Sequence, residues 1–357
     1  SIGQTSFGQD GPGGVGNSTN IEVWLDADRL GLTNSDPVSS WTDVSGNSNN
    51  ADQGTASFQP TFVTNEINGF PAVSFDGVDD RLDFTTNVNN AAITLFSIHK
   101  RPTDGLSTLF FLGQHVIYTQ NNGVATYYLT PTTKYAIGSH TNDTYQMFTQ
   151  STGSGATGVS LELQDGTTTK SFTRNALWSN SQSVLGARFA SGTGHYLFFE
   201  GEVAEAVVYN EELNSASYNI VSNSLAAKYN VSTTPDLYAY EGSHNHAVKG
   251  IGQESDGSNT TARGNDFLEI SNASSLGDGD YLLVGHDNGG YAVSASVPAG
   301  VVERWTQVWR ADVTGSPGTI SVEFFLDAGS FASPANYAVI IESADGDFSN
   351  GGTVTHE

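Results

Sequence analysis

Hydrophobicity alternates with a period of two along almost the whole chain. IEVWLDA, PAVSFDG, ITLFSIHK, STLFFLG, VSLELQDG, GEVAEAVVY, YLLVGH, TISVEFFLDA and YAVIIES are short runs rich in β-branched and aromatic residues. Gly, Asn, Asp or Pro bounds nearly all of them. Successive side chains of a strand point to opposite faces, so each run can bury one face and wet the other. Many short strands at such intervals indicate all-β sandwiches or barrels and not a parallel α/β sheet. One segment breaks the period. In LNSASYNIVSNSLAAKYNV, Leu213, Tyr218, Val221, Leu225 and Tyr229 fall near helical spacing, and Asn214 or Ser215 can cap the start. That spacing predicts one helix over about 213–229.

At 357 residues the chain is long enough for two domains, each with an adequate core. Residues 1–19, SIGQTSFGQDGPGGVGNST, form a Gly-rich leader. Residues 20–232 hold strands and then the helix. TTPD, 233–236, reads as a linker with a Pro break, and a second β domain is expected over 237–357. No internal repeat is evident. A terminus as glycine-rich as the leader is mobile unless it docks. It is expected to pack on its own domain or, as a donor edge strand, on a neighbouring copy or another surface protein. The chain stops soon after ADGDF, so it is expected to be a piece of something longer.

Thirteen Lys and Arg stand against 38 Asp and Glu, scattered rather than in blocks. Such a surface repels phosphate backbones and anionic lipids, so no nucleic-acid partner is expected, and it suits cations. There is no cysteine, hence no disulfide framework or thiol chemistry. No run approaches the ~18 apolar residues that span a bilayer, so no membrane insertion is expected. No charged and then apolar segment opens the chain, so any signal peptide is expected to have been removed already. A cysteine-free chain rich in Gly, Ser, Thr, Asn and Asp and poor in Lys has the look of an exported bacterial protein. Extracellular or cell-surface localisation is the expectation.

Five stretches carry a family likeness: VWLDADRLGL (23–32), WTDVSGNSNNA (41–51), QPTF (59–62), INGFPAVSFDGVDDRL (67–82) and FEGEVAEAVVYNEELNSASYNIVSNSLAAKYNV (199–231). They cover both ends of the first domain, in the right order. This domain resembles the LamG-like members of the concanavalin A-like lectin/glucanase superfamily. The resemblance implies a two-sheet antiparallel jelly roll closed by a strand and a short helix. The local physics agrees. In PAVSFDG, Ala72, Ser74 and Asp76 point one way and Val73 and Phe75 the other, and Gly77 permits a turn at positive φ. In WTDVSGNSNNA, Trp41 can anchor in the core while Asp43, Ser45, Gly46 and Asn47 make a turn held by side-chain-to-backbone bonds. The second domain, with KGIGQESDGSN, GDYLLVGHDNGG and VPAGVVERWTQVWRADVTG, is similar to β domains that accompany LamG-like modules in large bacterial surface adhesins.

Glu200, Glu202 and Glu205 form E-x-E-x-x-E, close to the E-x-D-x-x-E that glucanases of the superfamily carry on a bulged strand. On a regular strand Glu200 and Glu202 share a face and Glu205 lies on the other, so only a bulge would unite them. The resemblance also places this strand last before the helix rather than mid-domain under a cleft. Solvent-facing glutamates with no catalytic role are expected.

Calcium is the expected cofactor, because hard cations take carboxylates and carbonyls on tight turns. The candidate ligands are Asp43 with Asn47, Asp76 with Asp79 and Asp80, Asp278 with Asp280, and Asp345 with Asp347. Turn formation alone explains each set equally well. His244 and His246 would share a strand face as zinc ligands can, without a third ligand nearby. Tyr127, Tyr128 and Trp178 are the glycan-stacking candidates, since they lie in the part of the domain where lectin loops fall. Trp305 and Trp309 are expected to share a strand face in the core. The expected function is a non-enzymatic surface protein for adhesion, or a structural subunit of an extracellular filament or assembly. A glycan-binding lectin module is the alternative, and a glycoside hydrolase the third.

Overall fold

The computed structural model of the chain describes residues 10–102, 105–120, 124–130, 133–138, 141–155, 159–165, 168–174, 182–264, 268–290, 292–297, 301, 303–324, 339–341 and 353–355. The first unit is a two-sheet antiparallel sandwich. One eight-stranded sheet runs Thr168–Arg174, Val159–Asp165, Gln146–Thr152, Ile93–Lys100, Glu200–Tyr209, Phe70–Asp76, Thr61–Ile67, and Ile21–Asp26 also pairs with Glu200–Tyr209. The facing sheet, also of eight strands, runs Thr133–Gly138, Val124–Thr130, His115–Gln120, Ser107–Leu112, Val184–Leu185, Leu82–Phe84, Ala51–Asp52, Ser40–Trp41. Alternation sorts the side chains as expected. Val73 and Phe75 enter the inter-sheet core with Trp41, Leu95 and Phe110, while Ala72 turns to the outer face.

The outer face of the first sheet is covered by α1 (Ser215–Tyr229), the one α-helix among the described residues. Asn214 caps it, its side chain accepting from the Ser217 N–H, and Asn230 ends it in the left-handed conformation. Beyond α1 lies a second, smaller sandwich. A four-stranded sheet (Gly257–Asn259, His246–Glu254, Tyr281–His286, Trp309–Thr314) faces a three-stranded one (Thr261–Arg263, Leu268–Ser271, Ser321–Phe324). Ile251, Leu268, Ile270, Leu282 and Val284 form its core, with Trp309 and Phe324 packed against it.

The helix is buried on nearly every side, Ser222, Asn223 and Ser224 included. It is therefore not an ordinary surface helix with one apolar stripe. Two of its buried polar residues, Asn223 and Ser224, are tied to the segment that follows the helix. Ser224 donates to the Val248 carbonyl, Asn223 donates to the Pro235 carbonyl, and the Leu237 N–H donates to Asn223. One apolar cluster runs from Phe96, Ile98 and Val207 of the sheet through Ile220, Val221 and Leu225 of α1. It continues into Tyr238, Val248, Tyr281 and Leu283 of the second unit.

Of the two ways to hold the leader, residues 10–16 take the intramolecular one. Residues 11–15 are buried, Gly13 bridges Lys249, the Gly250 N–H donates to the Gly13 carbonyl, and the Tyr209 hydroxyl donates to the Val15 carbonyl. Residues 1–9 lie outside the described residues. The GPGG turn fits here because nothing larger does. Gly14 has φ +71°, and a Cβ on it would sit 2.7 Å from the Ala262 methyl and 2.9 Å from the Ala262 Cα. Gly14→Ala is expected to cost about 1–3 kcal/mol. It should also expose the leader to limited proteolysis, read as cleavage near Pro12 under conditions where the parent chain is uncut.

The two tryptophans of ERWTQVWR do not share a strand. Trp305 lies on Arg304–Trp305, which pairs with Val293–Ser294, whereas Trp309 opens the strand Trp309–Thr314 and packs on Phe324. The intervening Thr306 and Gln307 bond the Gly290 segment, which breaks the alternation.

Candidate functional site

The closing strand Glu200–Tyr209 carries a bulge that simple alternation does not foresee. In its pairing with Ile93–Lys100, Val203 faces His99 and Glu205 faces Ile98, so Ala204 is the extra residue. Val203, Ala206 and Val208 enter the inter-sheet core, whereas Ala204, Val207 and Tyr209 pack beneath α1. The bulge puts Glu205 beneath α1 as well.

Glu205 is therefore not solvent-facing, contrary to the sequence expectation; it is 2 % exposed. Its carboxylate accepts from Trp24 Nε1 at 2.7 Å, Lys228 Nζ at 2.8 Å and the Tyr229 hydroxyl at 2.8 Å. Lys228 Nζ also lies 2.9 Å from Asp26 Oδ2, which Arg29 Nε approaches at 3.3 Å. Burial holds the Glu205 carboxyl above the usual carboxylate range, against the pull of Lys228. Burial alone would depress the Lys228 ammonium, but Asp26 and Glu205 outweigh it and hold it above the usual lysine range. The rings of Phe70 and Tyr229 wall the ammonium at 5.3 and 4.9 Å.

Glu202 is engaged differently. Lys100 Nζ sits 2.9 Å from it, the Tyr145 hydroxyl donates to it, and Lys100 also reaches Glu66 at 3.6 Å. Burial and this hydrogen bond both raise the Tyr145 hydroxyl, which stays protonated. Ser74, Asp76, Lys100, Asp143, Glu200 and Glu202 surround a surface depression of about 200 Å³.

Beside it lies the turn after Phe70–Asp76. Ligand oxygens of Asp76, Asp79 and Asp80 fall within 4.8 Å of one another. Part of this carboxylate is spent inside the turn. Asp76 Oδ1 accepts from the Val78, Asp79 and Asp80 N–H groups, and Asp80 Oδ2 accepts from the Asp76 N–H. The Asp79 carboxylate and one oxygen each of Asp76 and Asp80 have no partner in that turn network, a donor set of the hard kind calcium takes. Burial, with Asp76 and Asp79 adding to it, pushes the Asp80 carboxyl up to about 6. Such a group binds its proton more tightly in the native state than in the unfolded one. Its protonation thus favours the fold fully below pH ~4, and this contribution is lost as pH rises through about 6. Burial pushes Asp10 up to about 6 as well. In chelator, Asp80→Asn is expected to raise the melting temperature at neutral pH by ~1–2 °C and to flatten its dependence between pH ~4 and ~6. Added calcium should raise the melting temperature of the parent chain and leave that variant unmoved, which thermal melts with and without calcium check.

The other candidates are placed as follows. Asp43 is buried and saturated, accepting from the Trp24, Ser45 and Asn49 N–H groups and the Ser45 hydroxyl. Asn47 donates to the Ser18 and Ile21 carbonyls. Asp280 accepts from the Gly277 and Ser316 N–H groups, and Asp278 from Gln253. Tyr127 and Tyr128 lie on the strand Val124–Thr130, with Tyr127 opposite Tyr135 and Ile117. Trp178, Asp345 and Asp347 lie outside the described residues. His244 and His246 do not pair. His244 precedes the strand and bonds Ser243, while His246 stacks on His286 at 5.7 Å. Among the described residues no helix is long and apolar enough to cross a membrane.

None of the curated proteins compared matches this chain. Solved structures similar to it include a Trypanosoma rangeli sialidase in complex with sialic acid, at 15 % identity over 57 % of this chain and 32 % of that one, TM-score 0.38. The CBM40 of Ruminococcus gnavus IT-sialidase, bound to α2,3-sialyllactose, matches at 13 % identity over 37 % of this chain and 82 % of that one, TM-score 0.32. Domain 4 of AbnA, a GH43 extracellular arabinanase from Geobacillus stearothermophilus, in complex with arabinotriose, matches at 12 % identity over 56 % and 96 %, TM-score 0.38. The chain spans about a third of the length of the sialidase. Residues 218–357, beginning within α1, match the family described as Domain of unknown function (DUF8202).

Proposed function

We propose that the chain is a non-enzymatic extracellular or cell-surface protein that serves adhesion or forms a structural piece of a larger assembly, with calcium on its acidic turns. The observation that supports this reading most is what the fold does with E-x-E-x-x-E. A retaining glycosidase needs two carboxyls about 5–5.5 Å apart beside one sugar-binding cleft. Here Glu205 is sealed under α1 by Trp24, Lys228 and Tyr229, and Glu202 is bound to Lys100 and Tyr145. The same burial makes α1 a stiff joint between two sandwiches, as a force-transmitting surface protein requires. The acidic, cysteine-free composition fits export.

Glycan binding is the second reading. It is favoured by the polar depression around Ser74, Asp76, Lys100, Asp143, Glu200 and Glu202, whose donors and acceptors suit sugar hydroxyls. Electron microscopy and sedimentation of the chain with and without chelator test the proposal, together with reducing-end assays on a polysaccharide panel. Ordered oligomers or filaments and no hydrolysis are expected. A clean monomer that binds a glycan array moves the assignment to the lectin reading. Hydrolysis that is lost in Glu202→Gln overturns both.

A further inference from the structure

The buried cluster beneath α1 holds an amine against a carboxyl, with a second carboxyl in contact, where water has little access. Lys228 Nζ is 2.9 Å from Asp26 Oδ2 and 2.8 Å from Glu205 Oε2. Asp26 and Glu205 side chains are 4 % and 2 % exposed, that of Lys228 20 %. Asp26 opens the turn after strand Ile21–Asp26, and Lys228 lies in the last turn of α1, 202 residues later. We propose that Lys228 and Asp26 condense to an intramolecular amide bond, with Glu205 carrying the protons.

The chemistry balances without any co-reactant. The reactants are an ammonium and a carboxylate, and the products are one amide and one water. Glu205 passes a proton from Nζ to Asp26 Oδ2, and the freed lone pair attacks Cγ of the resulting neutral acid. The C–N bond forms, the negative charge moves onto the carboxyl oxygens, and Oδ2 leaves with both protons given up by the nitrogen. The second of these is again passed through Glu205, which ends as it began. Neighbouring groups suit the step. Asp26 Oδ1, the oxygen retained in the amide, accepts from the Asp28 N–H at 3.0 Å and is so placed to hold the tetrahedral oxyanion. Arg29 lies 3.3 Å from Oδ2, the departing oxygen. Trp24 Nε1 and the Tyr229 hydroxyl fix Glu205 on the amine.

The driving force is burial. A charged pair held away from water is costly, and proton transfer to a buried carboxylate turns it into a neutral amine and a neutral acid, the reactive forms. Glu205 is suited to accept that proton, because burial already raises its affinity for one. The amine and the carboxylate are already hydrogen-bonded in the folded state, so a bimolecular step becomes intramolecular. The product would brace the first strand to the helix that joins the two sandwiches. The bond forms whether the protein adheres, assembles or binds sugar.

Intact-mass spectrometry of the purified, unfolded chain tests it. The mass is expected to fall short of the sequence mass by one water. Peptide mapping should find Asp26 and Lys228 joined, with no proteolytic cleavage after Lys228. Glu205→Gln should carry the full mass while keeping the β-sheet circular-dichroism spectrum. Full mass in the parent chain, with Lys228 acetylated after unfolding, overturns the proposal, and that measurement needs no variant to fold. Fragmentation that puts the amide on Glu205, or a Glu205→Gln chain that still loses water, overturns the roles assigned.

Discussion

Lys228→Met is expected to destabilise the chain by about 3–5 kcal/mol, because it leaves Glu205 and Asp26 buried without their shared cation. The loss would be larger in a chain in which the amide has formed. Urea unfolding followed by circular dichroism measures it. Two controls separate the cause from simple loss of packing. The double variant Glu205→Gln with Lys228→Met removes one charge of each sign, and is expected to recover a large part of the loss. The pH dependence has a definite sign. Burial already raises the Glu205 carboxyl, and without Lys228 its chief counterweight is gone while the Trp24 and Tyr229 hydrogen bonds remain. The native state of the variant then holds a proton that the unfolded chain releases. Its stability should rise as pH falls, and the deficit against the parent should be smaller at pH ~5 than at pH ~8. A deficit that is small and independent of pH would show that the network contributes little.

Leu283→Ala is expected to cost about 2–5 kcal/mol and, more informatively, to unlink the two units. Leu283 is fully buried in the cluster that runs from the first sheet through α1 into the strand Tyr281–His286. Its neighbourhood is tight: Gly250 beside it admits no Cβ without meeting the Leu282 carbonyl at 2.9 Å and Leu283 at 3.0 Å. A cavity there cannot be filled by small shifts, since strand pairing fixes both sides. Calorimetry of the parent chain should show one cooperative transition, and that of the variant a second-unit transition at lower temperature, separate from the first. One undivided transition in the variant, merely shifted, would mean that the units are coupled through Asn223, Ser224 and the docked leader more than through apolar contact.

The architecture was legible because alternation is local. A strand that must bury one face shows it within seven residues, as Phe70–Asp76 does with Val73 and Phe75 inside and Ala72 and Ser74 facing the other way. The helix was legible from its spacing and from Asn214, one of the two residues able to cap its start. The Asp43 turn was legible from its residue types, since Asp, Ser and Asn bond their own backbone.

Three features were not local and so were not legible. The bulge at Ala204 depends on how the strand Ile93–Lys100 lies beside it, and a residue inserted into a pairing leaves no mark in the inserted strand's own pattern. Glu205 reads as a surface residue because a buried glutamate is tolerable only beside partners, and these come from positions 24, 228 and 229. The burial of Asn223 and Ser224 on α1 has no local signal, because their partners, the Leu237 N–H and the Val248 carbonyl, lie beyond the helix. By itself, then, the sequence determined the strands, the helix, the turns and the all-β class, each written in the spacing of neighbours. Only the tertiary structure decided which glutamate is buried, which lysine stands beside it and how the leader is held, because those depend on desolvation by residues distant in the chain.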